Sequence, residues 1–390
     1  MGRGLRKPVV VGVINAFVLI ALVVVLEVGF RAYYFSKLTD YAYGIQYRLE
    51  KICNSGKAPE FLCDWLPTES RVLSGRIEAI RPGLVALNAV FENAPQHESK
   101  ILVDMHNTPL TRPHPDLGYE LRPDTQVDAY MLRSGKAMNL DPPVLYLPRQ
   151  ATALPSDVLA FIDSETRLAY SYTIGSQGHR TTLPAIQSGR RVLIVGDSVA
   201  FGVGVDDNHT MASALQQRLG DEMQVINAGV GGYDGYQAWK VAKGLAEGES
   251  FDTLVYLACQ NDFFSKEQDA VTVGRAVTEK FASLRDKFGG NLVIVLETYM
   301  EYSLRDLFQG NYRSWSKDRI RQTDELRSAM ANWAGELGFK LVDWHEIVQD
   351  HMRLEKSIFS RFGLYADHAH LSPLGNRLMA DAVYKVIADR

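Results

Sequence analysis

Arg191-Val192-Leu193-Ile194-Val195-Gly196-Asp197-Ser198-Val199 decides the fold. RVLIV (191–195) is apolar without alternation and stops at a glycine, the pattern of a short strand buried on both faces. Further strands are read at MQVINA (223–228), DTLVYLA (252–258), NLVIVLE (291–297) and FKLVDW (339–344). Helical periodicity fills the gaps: 208–219, stopped by Gly220; 235–247; about 268–287, closed by Gly289 and Gly290; and 317–337. A last helix covers about 373–388, and upstream RLAYSYTI (167–174) alternates like a strand before a turn at Gly175 and Gly178. Doubly apolar strands alternating with helices predict an α/β fold with a mainly parallel sheet covered on both sides. Right-handed crossovers make it a doubly wound, three-layer α/β/α sandwich. Functional groups in such a sheet gather beyond the carboxyl ends of its strands.

Towards the N-terminus the pattern changes. Residues 8–26, PVVVGVINAFVLIALVVVL, carry no charge over 19 positions, enough to cross a bilayer as one helix, and Phe30 extends the apolar character. Arg3, Arg6 and Lys7 precede it, which predicts a cytoplasmic N-terminus and an extracytoplasmic remainder. The run is longer than a signal-peptide core, and EVGFRAYYFS follows it without a small-x-small cleavage site, so the expectation is an uncleaved signal-anchor. Three regions follow: 1–31, cytoplasmic tail and transmembrane anchor; 32–164, an extracytoplasmic region, proline-punctuated beyond residue 108, with no assigned fold; and 165–390, the α/β domain.

The full chain has a formal charge of −4 over 390 residues. Residues 1–31 hold four of the 42 basic and one of the 46 acidic side chains, so the rest carries −7. An acidic exported domain without a basic run excludes a nucleic-acid partner. Three cysteines exclude a disulfide scaffold; Cys53 and Cys63 would sit in an oxidising compartment, and Cys259 lies in an apolar run. Nine histidines show no paired metal-ligand spacing, so neither metal nor cofactor is expected.

Four predicted strand-to-helix junctions carry chemistry. At Gly196-Asp197-Ser198 a serine projects over the sheet edge, with its own N–H able to face a developing oxyanion. Asn227-Ala228-Gly229-Val230-Gly231-Gly232 lets backbone approach a substrate closely. Gln260-Asn261-Asp262 offers a side-chain amide donor. Asp367-His368-Ala369-His370 places a carboxylate and an imidazole three residues apart, so that one can orient the other as base for the serine. Singly these are common turns and caps; in the chain order Ser, Gly, Asn, Asp-x-x-His they are far more specific.

With FGVGV (201–205), VINAGVGGY (225–233) and HLSPLGN (370–376) around them, these blocks resemble the SGNH/GDSL hydrolase family over about 165–390. HPDLGYELRP (114–123) and YTIGSQGHR (172–180) resemble a pair of elements in its membrane-anchored members, with Gly175 where an Asn is usual. The resemblance implies the flavodoxin-like sandwich, Ser198 as nucleophile, His370 as base and Asp367 as its orienting acid. It also implies an oxyanion hole of the Ser198 N–H, the Gly229 N–H and the Asn261 amide. Cys259 stands where the third block usually has Gly, which predicts a thiol that narrows or repositions the cleft. The expected activity is removal of a small acyl group, acetyl above all, from an extracytoplasmic carbohydrate or lipid. One alternative is an O-acyltransferase on envelope or exopolysaccharide sugars, fed by a multi-span membrane partner. A catalytically inert carbohydrate-binding module is the other.

Overall fold

Val192, Leu193, Ile194 and Val195 are completely buried, as a strand apolar on both faces must be when helices cover both sides of its sheet. They form the centre of β6 (Arg190–Gly196). In a computed structural model of the chain, the described residues are 18–22, 25–26, 109–132, 144–148, 160, 166–187, 189–259, 262–263, 269–297, 317–356, 360–366 and 369–388. The chain divides into two units, Met1–Pro67 and Thr68–Arg390.

In the second unit β6 is joined by β7 (Met223–Asn227), β8 (Thr253–Ala258), β9 (Leu292–Leu296) and β10 (Lys340–Asp343). All pair in parallel, in the order β10-β9-β8-β6-β7. Numbered from β6, that is the 2-1-3-4-5 order of flavodoxin-like sheets, whose switch point lies beside the first strand. One face is covered by α3 (Gly235–Gly248), α4 (Ala270–Ala282) and α5 (Lys317–Leu337). There Ala238, Val277, Phe281, Met330 and Trp333 pack against Leu193, Tyr256 and Ile294. The other face carries α2 (Met211–Leu219), α6 (Trp344–Leu354) and α7 (Pro373–Ala388). Arg218 of α2 forks onto Asp381 of α7 at 2.6 and 2.8 Å. The expected sandwich is therefore present. One boundary differs: Trp344, read as the end of a strand, begins α6, because the Asp343 carboxylate accepts the His345 N–H at 2.9 Å and starts a helix.

Ahead of this sheet stand β1 (Thr111–His114) and β2 (Gly118–Leu121), an antiparallel hairpin, and an antiparallel sheet of β3 (Thr125–Leu132), β4 (Val144–Pro148) and β5 (Thr166–Ile174). Tyr119, Leu121, Val127, Tyr172 and Ile174 form a second small core with Phe201, Val203, Val230 and Tyr233. The proline-punctuated segment thus reaches directly onto the loops that follow β6 and β7.

The expected membrane segment lies mostly outside the described residues. Within it, residues 18–22 and 25–26 are helical, and the apolar side chains among them are exposed, Val25 by 69%. Among the described residues no helix is long and apolar enough to cross a membrane. Cys53 and Cys63 also lie outside them.

Candidate active site

Ser198 opens α1 (Ser198–Phe201), the four-residue helix directly after β6. Asp197 caps that helix: its Oδ1 accepts the Val199 N–H at 2.8 Å, so the residue beside the serine holds the turn. His370 arrives from the far end of the chain. A short bridge pairs Tyr365 with Leu371, and the Ala366 N–H donates to the His370 carbonyl at 2.8 Å. Asn376, inside α7, donates its amide to the Leu371 and Ser372 carbonyls, both at 3.1 Å, and so ties the loop to a rigid helix. With both ends held, His370 Nε2 lies 2.9 Å from Ser198 Oγ, across 172 residues of sequence. Both residues are only partly exposed. A hydroxyl and an imidazole at that distance are able to serve as a nucleophile and its base.

The loop after β7 completes the floor. Asn227, fully buried, accepts the Gly229 N–H at 3.0 Å and donates to the Phe201 carbonyl at 3.4 Å. A Cβ on Gly229 would lie 2.7 Å from the Ala200 carbonyl carbon and clash with the Phe201 nitrogen. Gly231 comes next to the serine: a Cβ built there would be 3.9 Å from Ser198 Cβ. Among the described residues the Ser198, Gly231 and Gly232 N–H groups have no hydrogen-bond partner.

Behind the serine lies a buried acidic cluster. Asp262 Oδ2 accepts the Tyr256 hydroxyl at 2.8 Å and the Cys259 N–H at 3.0 Å. Burial first, and then the neighbouring Asp197, hold the Asp262 carboxyl well above the usual carboxylate range. Cys259 Sγ donates to Glu297 Oε2 at 3.1 Å, and burial together with Asp197, Glu297 and Asp262 pushes its thiol up, the opposite of a reactive cysteine. No group of three or more His, Cys, Asp or Glu that could hold a metal ion occurs among the described residues.

Residues 194–378 match the family model of the GDSL-like Lipase/Acylhydrolase family. Solved structures similar to this chain include a lipolytic G-D-S-L family protein from Veillonella parvula DSM 2008, at 16% identity and TM-score 0.41 over 52% of this chain and 100% of that one. A carbohydrate acetylesterase family member from Sinorhizobium meliloti aligns at 17% identity and TM-score 0.38, over 51% of this chain and 97% of that one. A variant of an acetyl-xylooligosaccharide esterase from Geobacillus Stearmophilus gives 17% identity and TM-score 0.39, over 53% and 97%. The comparison with curated proteins gives no match. The family match supports an ester-hydrolysing role.

Of the residues expected in the site, Ser198 and His370 are brought together, whereas Asp367 and Asn261 lie outside the described residues. Two expectations are corrected. Gly229 does not offer its N–H to the cleft, because Asn227 takes it and the residue is wedged beneath α1; the glycine beside the serine is Gly231. Cys259 does not narrow the cleft, because its side chain is fully buried against Glu297. One group was missed altogether. Arg180, 1% exposed, donates from Nη1 to the Phe201 and Gly202 carbonyls at 2.7 and 2.5 Å and from Nη2 to Val205 at 2.6 Å. Its Nε reaches Asp207 Oδ1 at 3.1 Å, and Tyr172 and Phe201 flank the guanidinium, 4.4 and 4.7 Å to the ring centroids. It clamps the C-terminal carbonyls of the helix that carries Ser198, where a cation also suits the helix dipole. Its signal was its place at the end of YTIGSQGHR, read as one of a pair of elements that resemble the family's membrane-anchored members.

Proposed function

We propose that the protein is a membrane-anchored serine esterase that removes a small acyl group, acetyl above all, from an extracytoplasmic carbohydrate or lipid. The observation that carries the mechanism is the 2.9 Å approach of His370 Nε2 to Ser198 Oγ. Ser198 Oγ attacks the ester carbonyl carbon while its proton passes to His370 Nε2. The oxyanion is met by the Ser198 N–H, an N–H of the Gly231–Gly232 stretch and the Asn261 amide. Collapse breaks the bond to the alcohol, which leaves with the proton from His370. Water then repeats the attack on the acyl-serine, releasing the acid and restoring both side chains. Asp367 orients the imidazole in this scheme. The charge-free run at 8–26, with Arg3, Arg6 and Lys7 ahead of it, supports the anchor and the extracytoplasmic substrate.

The test is turnover of 4-nitrophenyl acetate by the full-length chain beside Ser198→Ala and His370→Ala. We expect each variant to lose at least about 10³-fold in kcat with folding unchanged by circular dichroism. Equal rates in all three proteins would remove the serine mechanism.

A further inference from the structure

The β1–β2 hairpin makes a specific contact with the loop beside the nucleophile. The Tyr119 hydroxyl, from β2, donates to the Gly231 carbonyl at 2.8 Å, bridging 112 residues of sequence. The Tyr233 hydroxyl donates back to the Tyr119 carbonyl, and the two rings pack at 5.2 Å between centroids. Gln237 at the start of α3 donates to the Leu117 carbonyl at 2.7 Å, so the hairpin is seated at several points.

The carbonyl Tyr119 holds belongs to a peptide that needs holding. It joins two glycines, and Gly232 stands at φ +81°, a conformation open to glycine and costly for other residues. No side chain resists rotation of this peptide plane. In a planar trans peptide the C=O of one residue and the N–H of the next point in opposite directions. Anchoring the Gly231 oxygen on Tyr119 therefore turns the Gly232 N–H away from the hairpin. That N–H has no partner among the described residues, and Gly231 sits against the Ser198 side chain.

We propose that Tyr119 is a positioning residue for ester hydrolysis: its hydroxyl fixes the Gly231–Gly232 peptide with the Gly232 N–H aimed at the oxyanion forming on the substrate of Ser198. This rests on the serine-esterase reading above. It gives the hairpin, which lies outside the family match at 194–378, a part in the chemistry. The oxyanion donor is pre-aimed by a group that never touches substrate, which avoids reorganisation as charge develops.

The test compares the full-length wild type, Tyr119→Phe, Tyr233→Phe and Ser198→Ala. Phenylalanine keeps the ring packing and removes only the hydroxyl. Turnover of 4-nitrophenyl acetate is measured per active site, counted by fluorophosphonate labelling, alongside inhibition by phenylboronic acid, which forms a tetrahedral anion on a serine. For Tyr119→Phe we expect kcat to fall about 10- to 100-fold, short of or equal to the loss of a direct oxyanion donor, with KM within twofold. The boronate inhibition constant should rise by a similar factor. Tyr233→Phe, which deletes the reciprocal hydrogen bond without touching Gly231, should keep kcat within threefold. Equal losses in the two Phe variants would mean general loosening of the hairpin and would overturn the proposal. So would Ser198-dependent activity that is unchanged in Tyr119→Phe. A wild type no faster than Ser198→Ala overturns the serine-esterase reading, and this inference with it.

Discussion

Replacing Arg180 with methionine should cost more stability than most single changes in this protein. The side chain is completely buried and donates four hydrogen bonds, three to the carbonyls of Phe201, Gly202 and Val205 at and just beyond the end of α1 and one to Asp207. Methionine fills much of the same volume between Tyr172 and Phe201 but donates nothing. Three carbonyls and a carboxylate whose side chain is 14% exposed then lose their cation. Removing one partner of a buried charged pair costs about 3–5 kcal/mol, a large share of the roughly 5–15 kcal/mol that holds a typical domain together. With a urea dependence of about 3 kcal/mol per molar, the midpoint should fall by about 1–2 M. Urea titrations of wild type and Arg180→Met at pH 7, followed by circular dichroism, measure it directly. Arg180→Lys should recover only part, because one ammonium cannot span carbonyls that a planar guanidinium reaches from separate nitrogens. Esterase turnover should fall with stability, since these carbonyls end the helix that begins at Ser198. A midpoint change in Arg180→Met of less than roughly 0.3 M, or about 1 kcal/mol, would refute the clamp.

Two further outcomes follow from the site. Gly229→Ala forces a Cβ into the backbone of Ala200 and Phe201; it should destabilise by about 1–3 kcal/mol as an overpacked site and lower turnover by displacing α1, and wild-type activity would contradict the packing role. Asp262 has a folded-state pKa raised above its ordinary 3.8, so the stability it contributes is present below that value and is lost as pH rises through the raised one. Asp262→Asn keeps an oxygen to accept from Tyr256 and Cys259 but cannot ionise. It should therefore gain stability over wild type as pH climbs from about 4 towards 8, and a difference independent of pH in urea titrations would count against the buried-carboxyl account.

How much of this was legible beforehand depended on the range of the interaction. β6, β8 and β9 announced themselves because burial on both faces leaves a predominantly apolar run, and α5 and α7 because their periodicity is long. Ser198 and His370 were legible as types at strand ends, a position set by the sheet alone. Which glycine of Gly229, Gly231 and Gly232 faces the serine was not, because that is settled by Asn227 folding its side chain back onto the Gly229 N–H. Cys259 had two readings, an apolar run and a block position, and burial against Glu297 decides for the first. Tyr119 and Arg180 act on groups 112 and 21 to 25 residues away along the chain. No local pattern marks such contacts. Even α6 had a signal that was passed over: Asp343 followed three residues later by Glu346, an acidic cap and an acidic first turn.

The order of the parallel sheet has a consequence for how molecules of this protein meet one another. Its outermost strands are β7 and β10, and an outermost strand presents peptide groups that a neighbouring molecule can extend. At β7, Arg180 lies antiparallel to Asn227 and its N–H donates to the Asn227 carbonyl at 3.1 Å, capping the strand at the end nearest Ser198. At β10 the strand is only four residues long and starts with a lysine whose amine caps the Val386 carbonyl at 2.5 Å. Short length, a charged residue and a cross-pinned segment are the devices that discourage one molecule from zipping onto the next. Arg180 thus joins two tasks in one residue: its side chain steadies the helix that begins at Ser198 while its backbone helps keep the sheet from growing between molecules.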